Sequence, residues 1–412
     1  MASPAPASEP IVTFADIEAA ARRIEGAVVR TPTLLSRTLS ELVGCTVYVK
    51  FENLQFTAAY KERGALNKLL LMDPDRRARG VIAASAGNHA QGVAYHGKRL
   101  GVPVTIVMPE QTPAVKVSQT EGHGARVVLR GAMFDDAYAH ALELAAAENL
   151  TFVHPFDDPE IIAGQGTIAL EMLADAPDID TLAVPIGGGG LLSGVGTAAR
   201  ALRPDIALVG VQSELYPSMY CRLSGEDRPT AGDTIAEGIA VKEPGRLTSA
   251  IIRGLTTEIL LVPEREIETA VSLLLQIEKT VVEGAGAAGL AALLAHRDRF
   301  RGRTVGLILC GGNIDTRLLA TVLLRDLARS GRLARLRIQL QDRPGTLSSV
   351  VKLFDQHQVN IIEIYHQRLF TTLPAKGLYT DIECEARDRA HLQRLMDALG
   401  TAGFDVHPVE IH

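Results

Sequence analysis

The chain has 412 residues, 47% hydrophobic and 22% charged, a balance that sustains buried cores and excludes a largely disordered protein. Lys and Arg number 42 against 48 Asp and Glu, a net charge of −6 with no basic block, which argues against nucleic acid and anionic membranes as partners. The four cysteines, Cys45, Cys221, Cys310 and Cys384, lie far apart with no C-x-x-C, fitting neither a disulfide framework nor a zinc site, and no metal is expected. The first 21 residues hold neither Lys nor Arg, and the longest apolar run, Gly284 to Ala295, is short and mostly Gly and Ala. Neither a secretion signal nor a membrane span is expected, which reads as a soluble, cytoplasmic protein.

Residues 1–10, rich in Pro, Ala and Ser, are expected to fray ahead of a first helix from Thr13 to Ile24. Short aliphatic runs then alternate with helical stretches, at 46–51, 81–85, 104–109, 125–130, 181–186, 207–212, 258–263 and 304–310. Near-continuous apolar strands separated by helices predict an α/β fold with open, mainly parallel sheets and helices on both faces. This main domain is expected over 1–327, ending with a helix from Thr316 to Leu327, and the basic stretch 328–335 reads as a linker. Residues 336–412 read as strand 336–341, turn 342–345, helix 346–358, strands near 359–368 and 377–386, helix 389–403 and strand 404–411. That order is the ferredoxin-like βαββαβ unit. At about 75 residues it is near the lower size limit of an independent domain, so it is expected to pack against another copy or the main body.

Four segments carry candidate chemistry. In FENLQFTAAYKERGALNKLL a strand ends near Glu52, Thr57 offers an N-cap, and Lys61 falls in the first turns of the next helix. The positive end of the helix dipole favours the neutral amine there, which suits a Schiff-base lysine, although a solvated lysine fits the same spacing. SAGNHAQG, Ser85 to Gly92, follows a strand and opens a helix whose free N–H groups suit a carboxylate or phosphate. A tight turn in which Asn88 and His89 bond local backbone is the plainer alternative. PIGGGGLLSGVG, Pro185 to Gly196, places four consecutive glycines before a helix, as backbone wrapped around a phosphate ester requires. The rival dinucleotide turn is weaker, because the G-x-G-x-x-A match Gly194 to Ala199 lies inside the helix and Glu214 is loosely placed for a ribose. LILCGGNID, Leu307 to Asp315, sets Cys310 at the carboxyl end of a buried strand, where open α/β sheets bind ligands.

Together, and in this order, the four segments resemble those of the fold type II pyridoxal-phosphate enzymes, most closely the threonine ammonia-lyases (threonine dehydratases) that carry a C-terminal ACT domain. The resemblance implies pyridoxal 5′-phosphate held by Lys61, with Asn88 on its ring hydroxyl and Cys310 facing its pyridine nitrogen. Gly187, Gly188, Gly189, Gly190 and Leu191 would cup its phosphate. Ser85, Ala86, Gly87 and His89 would line the substrate carboxylate site, and Glu283 matches a segment of the same pocket. A small subdomain over roughly 46–150 would be inserted in the larger one. The implied reaction is β-elimination from L-threonine, and from L-serine, to a 2-oxo acid and ammonia, with Lys61 as the base. A neutral Cys310 thiol cannot hold the ring nitrogen protonated, which favours elimination over transamination. Relatives sharing the fold, such as threo-3-hydroxyaspartate ammonia-lyase or serine racemase, are the alternatives, and an idle amino-acid sensor is a third.

Two departures stand out. Much of the family reads Ser-Phe-Lys where this chain has Ala59-Tyr60-Lys61, and the racemase branch has a metal-binding Glu where this chain has Gln212. That branch also uses a serine at the place of Ala86. In the C-terminal unit, Asp342 to Val351 (DRPGTLSSVV) resembles the effector loop of ACT domains. An aliphatic amino acid such as isoleucine or valine is the expected effector, near Asp342, Gly345 and Asn360, in a homodimer or homotetramer. A dimerisation module without ligand is the alternative.

Overall fold

The computed structural model describes residues 11–255, 258–367 and 377–409, so the expected fraying of 1–10 lies outside the described residues. The chain divides into two compact units between Ile314 and Asp315.

The first helix, Phe14–Ile24, starts where expected because Thr13 and Asp16 form a capping box. The first unit then holds two sheets. Strands β1 (Thr33–Ser36) and β2 (Thr46–Lys50) pair antiparallel. Strands β3 (Val81–Ala84), β4 (Val104–Met108), β5 (Arg126–Leu129) and β6 (Thr151–Phe152) form a parallel sheet of order β5-β4-β3-β6. Strands β7 (Thr181–Pro185), β8 (Ala207–Ser213), β9 (Glu258–Val262) and β10 (Thr304–Ile308) join β1 and β2 in the order β1-β2-β10-β7-β8-β9, parallel except for β1. Every residue of β3, β4 and β7 is buried, as strands covered on both faces require. The family resemblance assigns 46–51 to the small subdomain. In the structure β2 pairs in register with β10, from Thr46 opposite Thr304 to Lys50 opposite Ile308, so it belongs to the large sheet and the small sheet begins at Val81.

Helix Lys61–Leu71 carries the fully buried Arg63. Its guanidinium lies 2.8 Å from Glu52 and 2.7 Å from Glu171, and Lys50 pairs with Glu171 at 2.5 Å. Thr31 Oγ1 also donates to Glu52 at 2.5 Å.

In the second unit, β11 (Leu333–Gln341), β12 (Asn360–Gln367), β13 (Gly377–Glu385) and β14 (Asp405–Pro408) form an antiparallel sheet of order β12-β13-β11-β14. With helices Thr346–Gln356 and Arg389–Thr401 this is the expected βαββαβ arrangement. Its core includes Ile338, Phe354, Ile382 and Leu395. Two boundaries differ from the sequence reading. Helix Thr316–Arg329 belongs to this unit rather than to the first. The basic stretch is also no linker through to 335, because β11 begins at Leu333. Its register sets Arg335 opposite Glu383 and Arg337 opposite Asp381, and both arginines pair with those carboxylates, so opposite charges across the ladder favour the strand. Among the described residues no helix is long and apolar enough to cross a membrane.

Candidate active site

The loop ahead of Lys61 is stitched to the end of β10. Tyr60 N donates to Cys310 O at 3.1 Å, Gly312 N to Ala58 O at 2.8 Å, and Asn313 Nδ2 to Thr57 O at 2.8 Å. Ala59 and Gly311 add an antiparallel bridge. These bonds bring Lys61 beside Cys310. The helix starts at Lys61 with Tyr60 as its uncapped N-cap, and Thr57 is no cap. Its hydroxyl and amide instead donate to the buried Glu62, at 2.7 and 3.0 Å.

Among the described residues Lys61 makes no hydrogen bond or ion pair. Burial lowers the pKa of its amine, against the raising influence of Glu283 and Cys310. The Cys310 thiol is buried and held neutral, raised by desolvation and by Glu283. Asn88 connects the same groups: Nδ2 donates to Glu283 Oε1 at 2.8 Å, and Oδ1 accepts from Asn313 Nδ2 at 2.8 Å. An amide nitrogen carries two protons, so one Asn88 N–H remains for a further acceptor. In the sequence Asn313 stands only as part of a loop; a contact between residues 225 apart has no local pattern to disclose it.

Glu283 sits above Gly311, where an added Cβ would lie 2.4 Å from Glu283 Oε1 and 2.8 Å from Asn88 Nδ2. Burial pushes its carboxyl up to about 7, with Glu237 reinforcing and the Asn88 bond, Lys61 and Lys116 opposing. A carboxyl raised on folding holds a proton that the unfolded chain has lost. Its contribution to stability is therefore complete at low pH and falls as pH rises from the ordinary glutamate range through about 7. Glu283→Gln is expected to raise the thermal midpoint more at pH 8 than at pH 5, and equal shifts at the two pH values would contradict this.

The turn Ser85–Asn88 is half-buried and opens helix Asn88–Leu100, whose N-terminus has no side-chain cap. Gly87 N donates to Ser85 Oγ at 3.2 Å, and the place of a Gly87 Cβ is open. Ala86 belongs to the same turn. His89 differs from the others: its ring is buried and donates from Nε2 to Val153 O at 2.9 Å, with its pKa lowered to about 3 by burial and then by Lys61. What His89 offers at the turn is its amide.

Helix Gly190–Leu202 follows Gly187, Gly188 and Gly189, again without a side-chain cap, and Leu191 lies in its first turn. Gly189 has φ +100°, which favours glycine. The backbone does pass closely around something, but part of it is protein. A Cβ on Gly188 would lie 2.4 Å from the Phe156 ring, and one on Gly190 2.9 Å from Phe156 Cβ.

Gln212 is fully buried and bonded within the chain, Nε2 donating to Ile186 O (3.4 Å) and Tyr216 O (3.2 Å) while Oε1 accepts from Tyr220 N (2.9 Å). No group of three or more His, Cys, Asp or Glu able to hold a metal occurs among the described residues.

Residues 24–311 match the family described as "Pyridoxal-phosphate dependent enzyme". The chain belongs to this family. Residues 334–400 of this pyridoxal-phosphate-dependent enzyme match the ACT domain. It is 40% identical over 97% of its length, and 100% of the relative's, to the L-threonine ammonia-lyase of Thermotoga maritima. Among solved structures it resembles the threonine deaminase of Solanum lycopersicum in its processed form (35% identity, TM-score 0.70, 75% of this chain and 86% of that one). It also resembles the serine racemase of Dictyostelium discoideum (36% identity, TM-score 0.69, 74% and 99%).

Proposed function

We propose that this enzyme is a threonine ammonia-lyase, releasing ammonia from L-threonine, and from L-serine, to leave a 2-oxo acid. The observation that carries the proposal is Lys61: among the described residues an amine with no hydrogen bond or ion pair and a lowered pKa, beside a neutral thiol and electrostatically coupled to His89 in the first turn of an uncapped helix.

The residues present suit pyridoxal phosphate. Lys61 would hold it, Gly187–Leu191 would take its phosphate on backbone amides, and the remaining Asn88 N–H would meet its ring hydroxyl. Bound there, the cofactor supplies an electron sink for the negative charge left at Cα. The chain does the rest. In the turn Ser85–His89 the Ser85 amide is spent on Val107 O and the Gly87 amide on Ser85 Oγ, so the amides of Ala86, Asn88 and His89, with the Ser85 hydroxyl, would bind the substrate carboxylate at the second helix N-terminus. The Lys61 amine, whose desolvation favours the neutral base, would take the α-proton. Cys310, a buried neutral thiol, would face the cofactor's ring nitrogen and add no charge there, which favours elimination over transamination.

Racemisation needs a proton donor on the face of the substrate opposite Lys61. Ala86 stands where the racemase branch has its serine, and a methyl group donates nothing. Incubation with L-threonine, L-serine and threo-3-hydroxyaspartate, following 2-oxo acid formation and inversion at Cα, tests this. Expected is 2-oxo acid from threonine with little inversion of serine; inversion as fast as ammonia release would favour the racemase reading.

For the ACT unit we propose regulation by an aliphatic amino acid at the N-terminus of helix Thr346–Gln356, which has no side-chain cap and follows Gly345 at φ +90°. Asp342 follows the end of β11 opposite Gly377, whereas Asn360 lies opposite Glu385, which faces Leu333 at the other end of β11. The two are therefore separated by about 25 Å of strand. Both meet one effector only when Asn360 comes from a second copy, which supports an oligomer. Isoleucine or valine is expected to change threonine turnover by roughly 5- to 150-fold. The response should vanish in a chain ended after Ile314, and unchanged rate and substrate affinity across such a titration would reduce the unit to an assembly device.

A further inference from the structure

We propose that residues 153–157, which cross from the small sheet to the large one, link the turn at 85–89 to the glycine loop at 187–191, with His154 as the positioning residue that sets the link. The inference rests on the reading of 187–191 as a phosphate cup.

The segment touches both sites. At one end Val153 O accepts the His89 Nε2 proton, tying the turn to the residue that follows β6. At the other end Phe156 and Asp157 support the glycine loop. The Phe156 ring occupies the space into which a Cβ at Gly188 would project, and the Phe156 Cβ and backbone the space of a Cβ at Gly190. The Asp157 carboxylate accepts from the amides of Arg246 (3.1 Å), Leu247 (2.9 Å) and Thr248 (3.1 Å), and so caps helix Arg246–Gly254. That cap places Thr248, whose buried hydroxyl donates to Gly188 O at 2.6 Å, and Gly245 N reaches the same oxygen at 3.2 Å. The loop is thus packed by one ring and hydrogen-bonded at one carbonyl, and both supports begin within the same four residues.

His154 fixes the conformation of those residues. Its Nδ1 accepts from Phe156 N at 3.2 Å and from Asp157 N at 2.8 Å. A ring nitrogen that accepts two amides carries no proton, so the proton lies on Nε2. Burial lowers the pKa of the ring, against the neighbouring Asp157 and Asp158, which keeps Nδ1 free to accept. The ring also meets Phe156 edge-on, with centroids 4.7 Å apart. Without the acceptor at Nδ1, two backbone amides lose their partner and Phe156 and Asp157 lose their fixed directions.

Three variants of the full chain test the link: His154→Leu, which keeps bulk but removes the acceptor; His154→Asn, whose Oδ1 stands near the place of Nδ1; and Thr248→Val, which cuts the bond to Gly188. Each apoenzyme is titrated with pyridoxal phosphate and with pyridoxal, and binding is followed by visible absorbance. His154→Leu and Thr248→Val are expected to weaken pyridoxal phosphate binding about tenfold or more. Pyridoxal, which has no phosphate to place, should bind as in the parent, and His154→Asn should restore most of the affinity. Unchanged phosphate-ester binding in His154→Leu and Thr248→Val would overturn the link, as would His154→Asn binding as weakly as His154→Leu. If pyridoxal weakens as much as its phosphate ester, the phosphate-cup reading fails. If His154→Leu does not fold, Thr248→Val and the Asn variant decide the matter by the same comparison.

Discussion

Lys61→Ala is expected to lower threonine turnover by at least about ten-thousandfold, because one substitution removes both the covalent anchor for the cofactor and the base. The visible absorbance of lysine-bound cofactor should disappear with it. The fold should survive. Among the described residues the Lys61 side chain has no hydrogen bond or ion pair to lose, and its amine resists burial, so the thermal midpoint of the apoprotein should stay level or rise. A residue whose removal leaves stability intact while ending activity is held in place for chemistry. Retained turnover in this variant would sink the assignment of the site.

The largest effect on stability is expected two residues further along. Arg63→Met would leave Glu52, fully buried, without the guanidinium 2.8 Å away, and Glu171 would keep only Lys50. Removing one member of such a buried network costs about 3–5 kcal/mol, whereas replacing both partners with groups of similar shape costs far less. Chemical denaturation should therefore show a large loss for Arg63→Met and a partial recovery when Glu52→Gln is added. A loss below about 1 kcal/mol would mean that water reaches Glu52 and screens it. Because Arg63 and Lys61 share one helical turn, a partly unfolded network should also displace Lys61, so activity should fall before the fold is lost.

The parts of the fold that are legible in the sequence are those set by local pattern. The run at 182–186 is apolar throughout, and β7 is buried at every position. Thr13 and Asp16 announce the first helix, and the C-terminal unit alternates as a half-exposed antiparallel sheet should. What is not legible depends on distant partners. Strand β6 has only two residues, and β1 exposes its two leucines, so neither carries a periodic signal. The sheet to which β2 belongs is decided by its register with β10, at the far end of the first unit.

The site divides in the same way. Lys61, the turn at 85–89, the glycines and Cys310 stand out because each interrupts or ends a regular element. The direction of the His89 ring, the Asn88–Asn313 bond and Phe156 beneath the glycines do not, since nothing in their own segments foretells what they touch. From the sequence the glycine quartet is expected to embrace a phosphate. Its residue types are also constrained by the chain itself: by the Phe156 ring at Gly188, by Thr248 and Met219 at Gly189, and by Phe156 Cβ and backbone at Gly190.

That contact makes positions 156 and 188 a single unit of volume. A methyl group added at 188 collides with the ring, and a small side chain at 156 leaves a hole under the loop, so each change alone is unfavourable in the presence of the other original residue. Only an exchange of bulk between the two is tolerated. Divergence at this point must cross a poorer intermediate whichever substitution comes first, and the route to a differently shaped loop is closed to single steps.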